Sequence, residues 1–318
     1  MTSPCAVLTG IGHALPPTVV TNADLAARLD TTDEWIRTRS GIHQRRIAPP
    51  EMSTADLAVE AGAQALKSAG VDAVDLVILT TSTPDRPCPA TAPAVMSRLG
   101  LGRIPAFDLD AVCSGFLYGL ATSVAMITSG QFGSVLLISA DTFSRLIDHD
   151  DRATAFLFGD GAGAVVLRRG ERDEHGAVLD VTIGSDGTQE ELITVPVGQP
   201  HFTMQGQTVY RQAVASMSAE AVKAMEAVGW SVDDVDWFVG HQANQRILDA
   251  VAGRVGLKPD RVISNLADVG NTAAASIPLA LSGAAESGRL RAGERVVLAA
   301  FGGGATWGSA ALTWPRLG

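Results

Sequence analysis

Three side chains in this sequence have types that could together support covalent catalysis: the thiol of Cys113, the imidazole of His241 and the carboxamide of Asn271. A thiol can form a covalent intermediate, an imidazole can handle a proton, and a carboxamide can donate a hydrogen bond to a developing negative charge. Each residue alone has an ordinary explanation, since free cysteines and lone histidines often belong to a core and Asn-Thr often caps a helix. Chemistry therefore requires a fold that brings the three together.

Cys113 lies where a short apolar run, Ala106 to Leu109, gives way to small residues and then to a helical pattern from Phe116 onward. This places the thiol at a strand-to-helix junction, close to unpaired N–H groups and to the positive end of a helix. Such a position predicts a cysteine that ionises more easily than a free one. A buried structural cysteine is an equally simple interpretation of this segment.

The chain repeats a pattern of helix, glycine and strand. Ala61–Ser82 and Ala219–Gln242 both show an amphipathic helix followed by a β-rich run. Val135–Ser139 matches Val296–Ala300, with residue numbers 135 and 296 lying 161 apart. The alternative is that any two such units of an α/β protein look alike, but several matches in order near one offset favour an internal duplication.

Each repeat closes with a glycine-rich turn into a strand, near Gly159 and Gly302. Alone, such a glycine run is most simply a tight turn. The repeats predict a layered α/β architecture built twice, with a first half over residues 1–172 and a second over 173–318. The junction is expected in the polar stretch Arg168–Gly176, where few apolar side chains are available for a core.

The offset of 161 also relates the candidate catalytic residues. It carries Cys113 to Ala274, just after Asn271, and Thr80 to His241. Two facing helix N-termini and the end of a strand are thereby expected at the carboxyl ends of parallel strands, where α/β sheets form their ligand crevices. The sequence predicts that Cys113, His241 and Asn271 meet in one pocket.

Composition limits the classes of function. The chain has 318 residues, 46% of them hydrophobic, and a net charge of −10, which disfavours nucleic acid as a partner. Three cysteines without CxxC spacing predict neither a disulfide framework nor a metal site and favour a reducing compartment. We expect no secretory signal, no membrane span and a cytoplasmic location.

Several motifs together resemble one enzyme family. These are TNADL, DEWIRTRSGI, FDLDAVCSGF, FGDGAGAVV, HQANQRI, GNTAAAS and AFGGGATWGSA. The chain resembles the β-ketoacyl-acyl carrier protein synthase III family nearly from end to end, and HQAN followed by GNT is the most specific part of the match. The resemblance implies a thiolase-like fold, α/β with two pseudo-duplicated halves in a five-layered αβαβα architecture.

The resemblance also implies an activity: an acyl group from coenzyme A is loaded on Cys113 and condensed with malonyl-acyl carrier protein, with loss of carbon dioxide. His241 and Asn271 would stabilise the enolate that decarboxylation forms. The N–H groups of Cys113 and Gly303 would form the oxyanion hole. No cofactor is implied beyond the coenzyme A thioester, which is a substrate.

Binding residues follow from the same resemblance. Trp35, Arg39 and Arg152 would bind coenzyme A, although Trp35 could equally be a half-buried helix anchor. The resemblance also implies that three arginines dock the carrier protein: Arg211, Arg246 and Arg254. Without the resemblance, these residues would be interpreted as ordinary solvated charges.

The acyl pocket would involve Cys88, reached across the interface of a homodimer, and Phe143. Cys88 is smaller than the aromatic residue of some acetyl-specific members, whereas Phe143 could remove the room that Cys88 leaves. The segment Pro196–Gly206 looks shorter than in typical members, which suggests a more open pocket mouth. We therefore expect a starter other than plain acetyl.

Three other functions agree less well with these residues. A related acyltransferase would pass the acyl group from Cys113 to a hydroxyl or amine without decarboxylation, but such transfer has no need of Asn271. A thiolase would carry a second catalytic cysteine in the C-terminal glycine loop, and AFGGGATWG has none. A non-catalytic partner subunit would have no reason to keep Cys113.

Overall fold

Strands and helices alternate along most of the chain. The computed structural model describes residues 4–318. The strands are β1 Pro4–Ala14, β2 Thr18–Thr21, β3 Gln44–Ile47, β4 Leu76–Thr80, β5 Ala106–Leu109, β6 Ser134–Asp141, β7 Gly161–Glu171, β8 Val178–Ser185, β9 Ile193–Thr194, β10 Thr203–Met204, β11 Trp237–Gly240, β12 Arg295–Gly302 and β13 Thr306–Thr313. The helices are α1 Asn22–Ala26, α2 Asp33–Ser40, α3 Thr54–Ala69, α4 Ala92–Arg98, α5 Gly115–Thr128, α6 Gly206–Ala227, α7 Gln245–Val255, α8 Leu266–Val269 and α9 Ser276–Glu286.

Helix α3 illustrates how local sequence sets these bounds. It begins after Ser53, whose hydroxyl accepts the N–H of Asp56 while the Asp56 carboxylate accepts the N–H of Ser53. It ends at Gly70, whose φ of +67° suits a residue without a Cβ. Its small buried side chains, Ala58 and Ala61 among them, let it pack closely on the first sheet. Strand β4 follows, so the predicted helix, glycine and strand are confirmed here.

Two sheets organise the fold. The first has the strand order β1-β7-β6-β4-β5 and the second the order β11-β12-β13-β8. In the first sheet β4 pairs in parallel with both β5 and β6, and in the second β11 pairs in parallel with β12. Every residue of β4 is buried, as expected of a parallel strand covered on both faces.

The helices form three layers around the two sheets. Helices α5 and α9 lie between the sheets, because Phe116, Leu120, Ile277 and Leu281 share one core with strands of both. Helices α3 and α4 cover the outer face of the first sheet, and α6 and α7 cover that of the second. The five-layered αβαβα architecture is confirmed.

The internal repeat is visible in the strand register. Leu76 pairs with Val135 in the first sheet, and Trp237 pairs with Val296 in the second. Both partners differ by 161 in residue number between the halves, and the starts of α5 and α9 differ by the same amount. The sequence offset is therefore a structural equivalence for these strands and for the central helices, whereas the counterpart of β5, residues 267–270, falls on helix α8 and the glycine after it.

The equivalence ends after β6 and β12. A long link, residues 142–160, joins β6 to β7, whereas residues 303–305 are enough to join β12 to β13. At the expected junction, β7 ends at Glu171 and β8 begins at Val178. The sheets share a core through α5 and α9, and the division into domains at residues 172 and 173 stays a prediction. None of the helices within residues 4–318 combines the length and the apolarity that crossing a membrane requires.

Candidate active site

A sharp turn between β5 and α5 carries Cys113. Val112 adopts a φ of +47°, a conformation that is unfavourable for a β-branched residue and needs support from its surroundings. Thr306, the first residue of β13, gives that support: its hydroxyl donates to the carbonyl of Ala111 at 3.1 Å, and its carbonyl accepts from the Ser114 hydroxyl at 3.1 Å. The second sheet thus fixes the turn that positions the thiol.

The thiol of Cys113 is buried, with 7% of the residue exposed. Burial, with a smaller contribution from the carboxylates of Asp141 and Asp110, raises the pKa of the Cys113 thiol to about 12. The prediction of an easily ionised cysteine is wrong for this structure, because lost solvation and two negative charges outweigh the field of the helix N-terminus. At neutral pH Cys113 is therefore a protonated thiol.

His241 follows the last residue of β11. Its backbone N–H donates to the carbonyl of Ala299 at 2.9 Å, and its ring Nδ1 lies 2.7 Å from the hydroxyl oxygen of Ser276. Burial lowers the pKa of His241 to about 3, so the imidazole is neutral across the physiological range. A neutral ring suits hydrogen bonding to a substrate oxygen better than it suits accepting a proton.

Asn271 is held on both sides of its backbone. Its N–H donates to the carbonyl of Leu157 and its carbonyl accepts from the N–H of Gly159, both at 2.9 Å. Its side-chain Oδ1 accepts the N–H of Ala273 at 3.0 Å, and Ala273 has the same φ of +47° as Val112, its equivalent in the first half. With Oδ1 engaged, the amide presents Nδ2 to the pocket as a donor.

Cys113 follows β5, His241 follows β11 and Asn271 follows the short helix α8, and all three side chains line one buried cavity. The facing helices meet closely here, since a Cβ built on Gly115 of α5 would lie 3.0 Å from the Cβ of Ala274. The free space beside the thiol is only about 40 Å³. The structure therefore brings the three predicted residues together in a small, apolar chamber.

Three phenylalanines form one wall of this chamber. Phe143 stacks on Phe158 with ring centroids 4.6 Å apart, and Phe202 meets both rings edge-on, at 5.5 Å and 5.1 Å. Phe202 belongs to the segment Pro196–Gly206, which was expected to leave the pocket mouth more open. The segment supplies a buried side chain to the wall of the inner chamber, and the expectation of a more open mouth stays a prediction.

The glycines of the C-terminal loop lie on two sides of the Cys113 turn. A Cβ on Gly302 would come within 2.9 Å of the backbone nitrogen of Cys113. Gly303 lines an outer cavity of about 470 Å³, which shares the side chains of Val112 and Phe202 with the inner chamber. Within residues 4–318, the N–H of Cys113 has no hydrogen-bond acceptor on another residue.

The three residues predicted to bind coenzyme A form a group on the surface. The guanidinium carbon of Arg152 lies 5.4 Å from the ring centroid of Trp35, and that of Arg39 lies 5.9 Å from it. Trp35 is half-buried and meets Phe156 edge-on at 5.3 Å. Trp35 packs against the same apolar cluster that contains Cys113, which makes it both a helix anchor and a platform next to the chamber.

Known proteins resemble this chain along almost its whole length. Models of 3-oxoacyl-[acyl-carrier-protein] synthase III and of the C-terminal part of that enzyme match residues 107–187 and 225–314. The chain is 58% identical over 309 residues to β-ketoacyl-[acyl-carrier-protein] synthase III 2 of Streptomyces coelicolor, and the alignment covers 97% of this chain and 94% of that protein. The chain belongs to the β-ketoacyl-acyl carrier protein synthase III family.

Solved structures of the synthase III family agree with this assignment. The 3-oxoacyl-(acyl carrier protein) synthase III of Pseudomonas aeruginosa PAO1 is 50% identical, with a TM-score of 0.96 and 99% of each chain covered. The priming β-ketosynthase of the R1128 polyketide pathway is 35% identical, with a TM-score of 0.93 and coverage of 98% of this chain and 97% of that one. The predicted family, the thiolase-like fold and the acyltransferase class of enzyme are confirmed.

The arginines that the synthase III resemblance assigns to carrier protein docking are all exposed. The guanidinium carbon of Arg246, at the start of α7, lies 5.6 Å from the ring centroid of Tyr210, the residue that precedes Arg211 in α6. Arg254 lies about two turns further along α7. Among the described residues, none of the three has an acidic partner within 4.0 Å.

Of the two residues assigned to the acyl pocket, the structure of a single chain brings only Phe143 to the chamber. Cys88 is exposed in the loop between β4 and α4. Its predicted role requires a second synthase III chain whose loop reaches this pocket, so that role stays a prediction.

Sequence reasoning missed two polar residues of the synthase III site. Ser276 contacts His241, and Asp141 accepts a hydrogen bond from the N–H of Ala274 in the turn that follows Asn271. Both residues carry a signal in the sequence. Asp141 ends a parallel strand, and Ser276 lies at a helix start, 161 residues after its counterpart Gly115.

Proposed function

We propose that the enzyme loads an acyl group from coenzyme A onto Cys113 and condenses it with malonyl-acyl carrier protein. In the first step the Cys113 sulfur attacks the thioester carbonyl and gives up its proton to the departing thiol of coenzyme A. In the second, the bond between the malonyl carboxylate and C2 breaks, carbon dioxide leaves, and C2 of the enolate attacks the acyl carbonyl. The bond between that carbonyl carbon and the Cys113 sulfur then breaks, and the sulfur takes up a proton from solvent. The products are carbon dioxide, 3-oxoacyl-acyl carrier protein and the free thiol of Cys113.

The observation that carries this proposal is the orientation of two donors beside the thiol. The Asn271 amide has its oxygen engaged by Ala273 N–H and so offers Nδ2, while burial keeps His241 neutral. Two neutral donors can hold the malonyl thioester oxygen as it becomes an enolate oxygen, which is the charge that decarboxylation creates. Transfer of the acyl group to a hydroxyl or amine forms no enolate and gives these donors no task.

The oxyanion of the loaded thioester would be stabilised by the N–H groups of Cys113 and Gly303. The Cys113 N–H has no acceptor elsewhere in the described chain and points from a helix start, which suits a developing negative charge. A protonated thiol with a pKa of about 12 is compatible with this scheme, because its proton can leave as the carbon–sulfur bond forms.

We further propose that Trp35 and Arg152 stack on the adenine of coenzyme A, with Arg39 on a phosphate. Arg211, Arg246 and Arg254 would hold the acidic carrier protein. The working enzyme would be a cytoplasmic homodimer with Cys88 of one chain at the acyl pocket of the other and no separate cofactor. Three unpaired cysteines support a reducing compartment. Either fatty acid or polyketide chain initiation is served by this reaction.

The proposal is tested by separating the two half-reactions. Incubation with a panel of acyl-CoA donors should add the acyl mass to the parent chain and to Asn271→Ala, but not to Cys113→Ala. Addition of malonyl-acyl carrier protein should then release carbon dioxide from the parent at least a hundredfold faster than from Asn271→Ala. Acyl loading without carbon dioxide release by the parent would instead assign the plain acyl transfer reaction.

A further inference from the structure

The two halves of the molecule place different residues at one equivalent position. β6 ends at Asp141 and β12 ends at Gly302, and these two residues are 161 apart, like the other matched pairs. Each lies beside the start of the central helix of the opposite half: Asp141 contacts Ala274 before α9, and Gly302 lies against Cys113 before α5. At this equivalent position one helix start thus meets a carboxylate, and the other meets a glycine, which has no side chain.

Asp141 joins two loops of the active site. The side chain is fully buried, and its Oδ1 accepts hydrogen bonds from the Thr81 hydroxyl, the Ser82 N–H and the Thr83 hydroxyl at 3.2, 2.8 and 3.0 Å. Its Oδ2 accepts the N–H of Ala274 at 3.1 Å. The carboxylate therefore ties the loop after β4 of the first half to the turn after Asn271 of the second.

The turn after Asn271 has consecutive N–H groups held by different acceptors. Asn271 Oδ1 takes the N–H of Ala273, and Asp141 Oδ2 takes the N–H of Ala274. Ala273 also has a φ of +47°, which needs support from its surroundings. If Asp141 released Ala274, the amide of Asn271 would lose the fixed backbone against which its orientation is set.

Gly302 has the opposite effect at the start of α5 to that of Asp141 at the start of α9. A Cβ at this position would lie 2.9 Å from the nitrogen and 3.1 Å from the Cβ of Cys113. An alanine could not be accommodated without moving the Cys113 turn, and a longer polar side chain would cover the N–H as Asp141 covers that of Ala274. The absence of a side chain is what leaves the Cys113 N–H without an acceptor.

We propose that Asp141 is a positioning residue that fixes the turn of Asn271, and that Gly302, its counterpart, keeps the N–H of Cys113 open for the substrate oxyanion. This inference rests on the condensation proposed above. The two helix starts then differ in function. The N–H of Ala274 before α9 is bound by the Asp141 carboxylate, whereas the N–H of Cys113 before α5 is free to bind the oxygen of the acyl group that Cys113 carries.

Asp141 also acts on the thiol when it is ionised, and burial raises the pKa of Asp141 itself to about 7. In its ionised form it raises the pKa of Cys113, in addition to the larger effect of burial and together with Asp110 on the turn before the cysteine. His241, after β11, is the other titratable group that lines the chamber with Cys113. Removal of the Asp141 charge should therefore make Cys113 easier to ionise while it loosens Asn271, two effects that a purely structural role would not combine.

The first test is Asp141→Asn, which keeps the shape but places an NH₂ group against a donor. We expect condensation to fall at least tenfold while acyl loading of Cys113 stays within threefold of the parent. Alkylation of Cys113 by iodoacetamide, followed by peptide mass, should shift to lower pH. Hydrogen exchange should rise in the peptide covering residues 270–277. Equal losses in both half-reactions, or unchanged exchange in that peptide, would overturn the role of Asp141.

The matched control is Glu220→Gln. Glu220 is also a buried carboxylate, on α6, and accepts hydrogen bonds from the hydroxyls of Thr182 and Ser309 in the second sheet, with no contact to the Asn271 turn. It should lose thermal stability without changing the ratio of condensation to loading or the pH dependence of alkylation. A changed ratio in this control would show that any buried carboxylate has the effect, which would count against Asp141.

The second test is Gly302→Ala. Because both half-reactions pass through an oxyanion on the carbon attached to Cys113, loading and condensation should fall together, by about a hundredfold. Loading within threefold of the parent would overturn the role of Gly302. If the parent loads acyl groups but never releases carbon dioxide, the condensation proposal fails, whereas the exchange and alkylation measurements still decide the role of Asp141.

Discussion

His241 Nδ1 lies 2.7 Å from the hydroxyl oxygen of Ser276, the first residue of α9. The same oxygen accepts the N–H of Gln242 at 3.3 Å, so the serine proton is free to point at Nδ1. A neutral imidazole that accepts at Nδ1 carries its own proton on Nε2, the nitrogen left to face the substrate. We therefore expect Ser276 to favour the tautomer that donation to an enolate needs.

Replacement of Ser276 by alanine should remove the preference of His241 for the tautomer that is protonated on Nε2. We expect condensation to slow about tenfold, which corresponds to the loss of about 1.4 kcal/mol from one hydrogen bond to a buried ring. Acyl loading of Cys113 should be almost unchanged, because the scheme assigns His241 no part in it. Rates of carbon dioxide release and of acyl-enzyme formation measure the two steps. Ser287→Ala, exposed at the other end of α9, is the control, and an equal effect there would contradict the assignment.

Trp35→Ala should weaken the binding of coenzyme A esters without slowing chemistry. Loss of one stacking platform is worth about 1–2 kcal/mol, so KM for acyl-CoA should rise roughly fivefold to thirtyfold at nearly constant kcat. Acyl-pantetheine lacks the nucleotide, and its kinetics should not change. Arg37→Ala, exposed on the same helix, serves as the control. An equal loss with acyl-pantetheine would mean that Trp35 acts only as a helix anchor.

Reversal of charge at Arg246 should affect the carrier protein alone. We expect Arg246→Glu to raise KM for malonyl-acyl carrier protein, with a smaller effect at high salt because surface charges are screened there. Acyl loading from coenzyme A should remain at the parent rate. Arg103→Glu, an exposed arginine of the first half, should leave both substrates unaffected. Steady-state kinetics at two ionic strengths measure these effects. An equal change in KM for malonyl-acyl carrier protein in both variants would mean that the effect is one of general charge and not of docking at Arg246.

Phe202 should limit the length of the acyl group. Phe202→Leu removes part of a ring from a chamber that has only about 40 Å³ of free space, so donors longer by one or two carbons should gain in kcat/KM relative to acetyl. Competition between pairs of acyl-CoA donors measures this ratio directly. An unchanged ratio would contradict a limiting role of this wall and would favour the Cys88 loop of a second chain in the proposed homodimer.

Much of this arrangement was accessible from sequence because it depends on local pattern and on one offset. The bounds of β5 and β11, the helix start at Cys113 and the pairing of the two halves follow from apolar periodicity, glycines and the distance of 161 residues. Cys113 and His241 meet in one chamber because the loops that follow parallel strands lie together at the carboxyl ends of those strands.

The electrostatics of Cys113 could not be read from sequence. A helix start favours a thiolate, but the result depends on how much solvent the second sheet excludes and on where Asp141 ends β6. The wall of the chamber was equally hidden, since Phe202 lies in the loop between β9 and β10, whose path is set by tertiary contacts. Local propensity says little about either.

The unequal links between the last two strands of each half affect how this protein can evolve. Residues 142–160 join β6 to β7 and include Phe143, Arg152 and Phe158, whereas the second half makes the same connection with residues 303–305. The end of the longer link also holds the backbone of Asn271 through Leu157 and Gly159. We therefore expect changes of length between residues 144 and 155 to alter which donor is accepted, whereas the end of the link and the duplicated frame must stay as they are for catalysis.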